Sequence, residues 1–149
     1  MAETRLVKDI GEFGLHRRIR EILGNPSADV IVGIGDDAAI VNPQARPLVI
    51  TQDAMVEEIH FQPEWTSAAD LAYKALISNL SDLAAKAAEP AYAAIAMGLR
   101  KDTPVCWLDE FYKTLARLRE EWGIEIIGGD TVRSPILFVS ITALGYQIP

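Results

Sequence analysis

The sequence predicts an α+β domain, a mixed four-stranded sheet with helices on one face and with the other face pairing in a dimer. Three observations lead to it. Segments of helical and of strand periodicity follow one another along the chain. Its 149 residues, 50% hydrophobic and 23% charged, are enough for one well-buried core. The last strand carries apolar residues on both of its faces, while only two substantial helices are available to cover anything. A sheet face left bare in this way is expected to meet a second chain.

Leu15, Ile19, Ile22 and Leu23 recur at helical spacing among Arg17, Arg18, Arg20 and Glu21, so a first helix runs from about Gly11 to Leu23. Gly24-Asn25-Pro26 stops it. Val30 to Gly35 leads into a turn at Asp36-Asp37, and Ala38 to Val41 reads as a strand ending at Asn42-Pro43. A second strand, Pro47 to Thr51, delivers Gln52 and Asp53 at its end, with Met55 to His60 continuing past it. Ser67 as N-cap and Asp70 reaching back make a capping box for a long helix extending to about Ala88. Leu71, Ala75, Leu76, Leu80, Leu83 and Ala84 supply its apolar side, and Pro90 closes it.

Tyr92 to Leu99 suits a strand covered on both faces. A third helix begins near Pro104, carries Trp107, Leu108, Phe111, Leu115 and Leu118 on one side, and ends at Gly123. Glu125-Ile126-Ile127 is a short strand feeding Gly128-Gly129-Asp130-Thr131. The final strand, Ile136 to Tyr146, places Leu137, Val139, Ile141 and Ala143 on one face and Phe138, Ser140, Thr142 and Leu144 on the other. There is no internal repeat and no low-complexity segment.

Composition narrows the chemistry. The formal charge of −7 and the scatter of the 14 basic residues argue against a nucleic-acid surface. They leave room for a phosphate ligand, because a metal ion can bridge carboxylates to phosphate oxygens. Cys106 is the single cysteine, which excludes an internal disulfide and a thiolate metal site and suits a cytoplasmic setting. Met1 to Ile10 lacks the apolar region of a secretory leader, and nowhere is there an apolar run of about 18 residues that would span a membrane. Neither a Walker-type phosphate loop nor a Gly-x-Ser-x-Gly nucleophile motif is present.

The carboxylates are the remaining signal. Gly33-Ile34-Gly35-Asp36-Asp37 places two of them beside glycines that permit close approach. Asp53 is read at a strand end, Asp82 on the long helix one turn after Asn79, and Asp130 after Gly128-Gly129. Lys74, Ser78 and Asp82 are four apart and share one helical face. Hard oxygen ligands in such settings suit one or more Mg²⁺ ions and, through them, a polyphosphate.

Four blocks of residues then resemble thiamine-monophosphate kinase. They are Gly33 to Ala39, Thr51 to Val56 with Glu58 to Phe61, Lys74-Ala75-Leu76 with Asn79 to Ala85, and Gly128 to Thr131 with Arg133. They occur in the family's order and cover nearly the whole chain. The wider superfamily includes aminoimidazole ribonucleotide synthetase, selenophosphate synthetase and a hydrogenase-maturation protein, which share ATP use and a dimeric, two-domain architecture.

The resemblance implies phosphoryl transfer from ATP to thiamine monophosphate, giving thiamine diphosphate, with Mg²⁺ as cofactor. Carried over by motif, Asp37, Asp53, Asp82 and Asp130 are metal ligands assisted by Thr51 and Gln52. His60 contacts the thiamine substrate, Gly129 and Asp130 lie against the ATP phosphates, and Asp36, Asn79 and Arg133 are further candidates. Residues 1–149 are then expected to be the ATP- and Mg²⁺-binding N-terminal domain, with the C-terminal domain absent from this chain and turnover by the chain alone weak or absent. The sequence departs from the family at Gln52, where Thr is expected, at Glu57-Glu58, where a small residue or glycine is commoner, and at Lys86-Ala87-Ala88, where Met-Gly-Ala is usual. The alternatives are a sibling ATP-using enzyme and a non-catalytic dimerisation or ligand-binding module.

Overall fold

A computed structural model describes residues 5–149, so the first four residues of the segment weighed above for a leader lie outside it. A 3-10 turn, Val7–Asp9, precedes α1 (Gly11–Leu23), and a small antiparallel ribbon follows from β1 (Val30–Val32) and β2 (Ile40–Val41). The main sheet is built from β3 (Leu48–Val56), β4 (Ala88–Leu99), β5 (Glu125–Arg133) and β6 (Phe138–Gln147) in the order β3-β6-β4-β5. Helix α2 (Ala68–Ala85) joins β3 to β4, and α3 (Val105–Trp122) makes the crossover between β4 and β5. That pair is parallel, as a helical crossover allows, and the other two pairings are antiparallel, so the sheet is mixed as expected.

All three helices lie on one face. Val139, Ile141 and Ala143 of β6 are completely buried there, against Leu71, Leu76 and Leu83 of α2. Helix α3 packs on α2 through Leu108, Phe111, Leu115 and Leu118, and each such side chain contributes about 1.5–3 kcal/mol by leaving water. Helix α1 packs on α3, and the Arg18 guanidinium forks onto Asp109, whose carboxyl is thereby held below the usual range. No helix among the described residues is long and apolar enough to cross a membrane.

Local signals explain the helix ends. Ser67 Oγ accepts from Asp70 N at 3.0 Å while Asp70 Oδ2 accepts from Ser67 N at 3.4 Å, the reciprocal capping box read in the sequence. Gly123, at φ 63, closes α3 in the left-handed conformation that glycine adopts without strain.

Four boundaries differ from the expectation. Helix α2 ends at Ala85 and β4 begins at Ala88, so Pro90 lies inside a strand and does not close the helix. It sits at a register irregularity before Tyr92, where no N–H is needed for the ladder. Strand β3 runs on to Val56 and β5 to Arg133, because β6 and β4 continue to offer backbone partners past the polar residues. Asp53 and Asp130 are therefore within strands, with their side chains at the sheet's edges.

The face opposite the helices is partly covered. The segment Ala38 to Val41 does not join the main sheet; through β2 it forms the ribbon with β1, and Val30 and Val41 pack on Tyr92, Tyr146 and Leu144 at one end of that face. Tyr92 Oη donates to Asn42 O at 3.4 Å, and Tyr146 Oη accepts from Gln44 N at 3.3 Å, which ties the ribbon down. Beyond it Leu48, Ile50 and Val132 remain exposed.

Candidate functional site

The alternation of side chains decides which carboxylates can meet. In β3, Thr51 and Asp53 share the face of buried Met55, towards α2, while Gln52 and Ala54 point the other way. Thr51 Oγ1 donates to Asp82 Oδ2 at 2.7 Å, joining the edge strand to the last turn of α2. Asp53 follows about 7 Å further along the same face. Gln52 Nε2 instead donates to Ser140 Oγ at 3.0 Å on the open face.

The polar row of α2 runs beside this edge. Lys74 Nζ donates to His60 O at 2.7 Å, and Ser78 Oγ donates to Lys74 O at 2.9 Å. His60 is exposed, and its Nδ1 accepts from Val56 N at 3.1 Å, which leaves Nε2 as the ring's unengaged nitrogen among the described contacts. Asn79 leaves the row altogether. It is fully buried, Nδ2 donating to Ala75 O at 2.9 Å, while Oδ1 has no partner, the one such buried side-chain atom among the described residues.

A second group forms at the opposite edge. The Gly33 to Ala39 loop lies alongside β5, and with α1 they enclose a cavity of about 340 Å³. Gly35 (φ 109) and Asp36 turn the loop, and Asp36 Oδ1 accepts from Asp37 N at 2.8 Å. Both carboxylates are exposed, but they differ: Asp36 holds the turn through this bond, and the Asp37 carboxylate makes no hydrogen bond or ion pair among the described residues. Gly128 and Gly129 form the β5 wall. A Cβ on Gly129 would stand 1.9 Å from Ile95 O, so the strand needs glycine there, whereas nothing lies within 4 Å of one on Gly128.

Asp130 pairs with Ala96, which on its other side pairs with Ser140, and this puts Asp130 on the open face beside this wall, not inside the cavity. Arg133, at the end of β5, lines a separate depression with Arg100 and Lys101. The structure therefore brings Thr51, Asp53 and Asp82 together at the β3 edge and Asp36, Asp37 and Gly129 at the β5 edge. Three strand spacings, about 14 Å, lie between the two edges.

Among the described residues no three His, Cys, Asp or Glu side chains converge tightly enough to cage a metal ion. A Mg²⁺ ion needs fewer protein ligands than such a cage, one or two carboxylates with water and substrate phosphates completing the octahedron. Sequence reasoning did not find the helical walls of the cavity, Phe13, His16 and Tyr112. Tyr112 is buried beside Phe111, and burial pushes its phenol up; its place in the helical pattern reads only as core. Phe13 does carry a signal, since it is apolar yet off the Leu15-Ile19-Leu23 stripe.

The two departures at glycine positions also acquire a meaning. Glu58 and Ala87 are the non-glycine residues with positive φ, 67° and 49°, among the described residues. Glu57 is turned inward, where Oε1 accepts from Arg100 Nη1 at 2.5 Å and Oε2 from Leu137 N at 2.6 Å, so its charge is spent on structure.

Comparison with known proteins bears on the family and the fold. The chain is 43% identical over 127 residues to the thiamine-monophosphate kinase of Escherichia coli strain K12, covering 85% of this chain and 38% of that protein. It superposes on the thiamine-monophosphate kinase of Stenotrophomonas maltophilia K279a with a TM-score of 0.76 and 40% identity, over 91% of this chain and 42% of the other. On AaThiL complexed with AMPPCP and TMP the TM-score is 0.65 with 31% identity, over 97% of this chain and 44% of that one. The chain spans about two fifths of the length of the curated relatives it matches. Residues 35–147 match the AIR synthase related protein, N-terminal domain, over most of the chain, and the protein belongs to that family.

Proposed function

We propose that this chain is the Mg²⁺- and ATP-binding N-terminal domain of a cytoplasmic kinase that converts thiamine monophosphate to thiamine diphosphate. The observation that carries the reading is the meeting of the Gly33–Asp37 loop with the Gly128-Gly129 wall. Two glycine-opened backbones and a free carboxylate there face one cavity. Similarity to the E. coli enzyme and to AaThiL, solved with AMPPCP and TMP, supports the choice of substrates.

In this reading Asp37, Asp53, Asp82 and Asp130 hold Mg²⁺, with Thr51 orienting Asp82 and Gln52 contributing through its backbone. Bound Mg²⁺ neutralises the charge shared between two phosphate-bearing substrates, so transfer needs positioning and no covalent enzyme intermediate. Gly129 admits the ATP phosphates to the β5 wall, and the unengaged Nε2 of His60 contacts thiamine monophosphate. The exposed apolar end of the open face pairs with a second copy.

One observation favours the alternative of a non-catalytic dimerisation module: the carboxylates stand at opposite edges of the sheet. Asp82→Asn and Asp130→Asn separate the two. The kinase reading expects both variants to remain dimeric and to lose Mg²⁺-dependent ATP binding by tenfold or more by calorimetry, about 1.4 kcal/mol. Unchanged binding in both variants refutes the metal assignment. Thiamine diphosphate formation from ATP, Mg²⁺ and thiamine monophosphate, run on this chain and on the same gene extended to its natural stop codon, tests the reaction itself. Product from the extended protein alone supports the reading, and no product from either refutes it.

A further inference from the structure

Helix α1 has a face that its packing leaves unexplained. Leu15, Ile19 and Leu23 are buried, but Phe13, His16, Arg17 and Arg20 follow one another at i, i+3, i+4 and i+7 along another side. Phe13 is 83% exposed although it is aromatic, and with half-buried His16 it lines the cavity that the Gly33–Ala39 loop and Gly129 enclose. One turn beyond His16, the Arg20 guanidinium rests over Gly35. A Cβ on that glycine would lie 2.9 Å from Arg20 Nη2. Arg20 makes no ion pair among the described residues; it meets the cavity's rim at Gly35 and itself lines the adjoining depression with Gly33, Ile34, Arg119 and Glu125. The charged side chains that line the cavity, Glu12, Asp36 and Asp37, are acidic.

The stripe therefore runs from an aromatic ring to a free cation over seven residues, about 10 Å of helix. A nucleotide has the same polarity: an apolar, π-faced base at one end and anionic phosphates at the other. We propose that α1 is the wall that reads the nucleotide, with Phe13 stacking on the base and Arg20, seated over Gly35, facing the phosphates. This rests on the nucleotide reading of the cavity given above and adds residues that none of the four motif blocks contains. The physical basis is that base–aromatic stacking tolerates any base, while an unpaired guanidinium at the rim of an otherwise acidic cavity offers a phosphate oxygen a charged donor.

The test is calorimetry on this chain in Mg²⁺ buffer with two probes, ATP and inorganic tripolyphosphate. Phe13→Ala is expected to weaken ATP about tenfold and to leave tripolyphosphate unchanged, with Phe13→Trp restoring ATP. Arg20→Gln is expected to weaken both probes by a similar factor. Phe13 and Arg20 are exposed, and an unchanged circular dichroism melt verifies that each variant folds. If wild type binds ATP and Phe13→Ala binds it equally well, the α1 assignment is overturned and the nucleotide reading stands. If wild type binds neither probe, both fall.

Discussion

Gly128 and Gly129 stand side by side in β5 for different reasons, and their variants should differ accordingly. Gly129 has φ 149 and its Cα faces the Ile95 backbone, so Gly129→Ala forces the β4–β5 pairing apart. A loss of at least about 3 kcal/mol is expected in urea unfolding. Gly128→Ala meets nothing within 4 Å and should stay within about 0.5 kcal/mol of wild type. Equal losses in both would mean that the strand tolerates a Cβ at either position. The sequence made the glycine pair visible but not this division, which depends on how closely β4 approaches. The pair Asp36-Asp37 is similar: both were legible as candidates, but which one turns the loop emerged only from the Asp37 N to Asp36 Oδ1 bond. Asp53 and Asp130 were legible as candidates, whereas their placement on opposite faces follows from register, where a slip of one residue reverses every side chain.

At the scale of elements, the helix starts and the ends of α1 and α3 were read closely because their signals are local: the Ser67–Asp70 box, Gly123, and the Leu15-Ile19 period. Helix α2 stops three residues before the expected Ala88, because Ala88 already pairs in β4. Strand ends were not read closely, since a strand stops where its partner stops offering hydrogen bonds, and β6 is ten residues long. The tight exits from β3 and α2 show what the sequence departures cost. Glu58 and Ala87 each hold a left-handed conformation that penalises a Cβ by about 1–2 kcal/mol. Ala87 N nonetheless donates to Ala84 O at 2.9 Å, closing α2 as a glycine would. Glu58→Gly and Ala87→Gly should each raise stability by about 0.5–1 kcal/mol, the relief of strain exceeding the greater freedom of glycine in the unfolded chain. Their melting temperatures, alone and combined, measure this; the two sites lie in different turns, so the gains should add. A fall in either variant would show that the side chain holds its turn through contacts outweighing the strain.

For the whole molecule, the question is what covers the open face. The ribbon of β1 and β2 shields only the end near Tyr92 and Tyr146, leaving Leu48 and Ile50 of β3 exposed together, Ile50 at 62%. Apolar side chains at that position gain nothing from the fold itself, because helices lie on the other face only. A second sheet laid against it would bury them. Ile50→Lys tests this directly. The residue contributes little to the core, so the unfolding free energy should stay within about 0.5 kcal/mol of wild type. A desolvated lysine opposite its symmetry mate should shift the chain from dimer to monomer in light scattering. If wild type is already monomeric at tens of micromolar, about the range of a weak interface, sheet pairing is not what covers these residues. If Ile50→Lys remains dimeric, the interface lies elsewhere on the molecule.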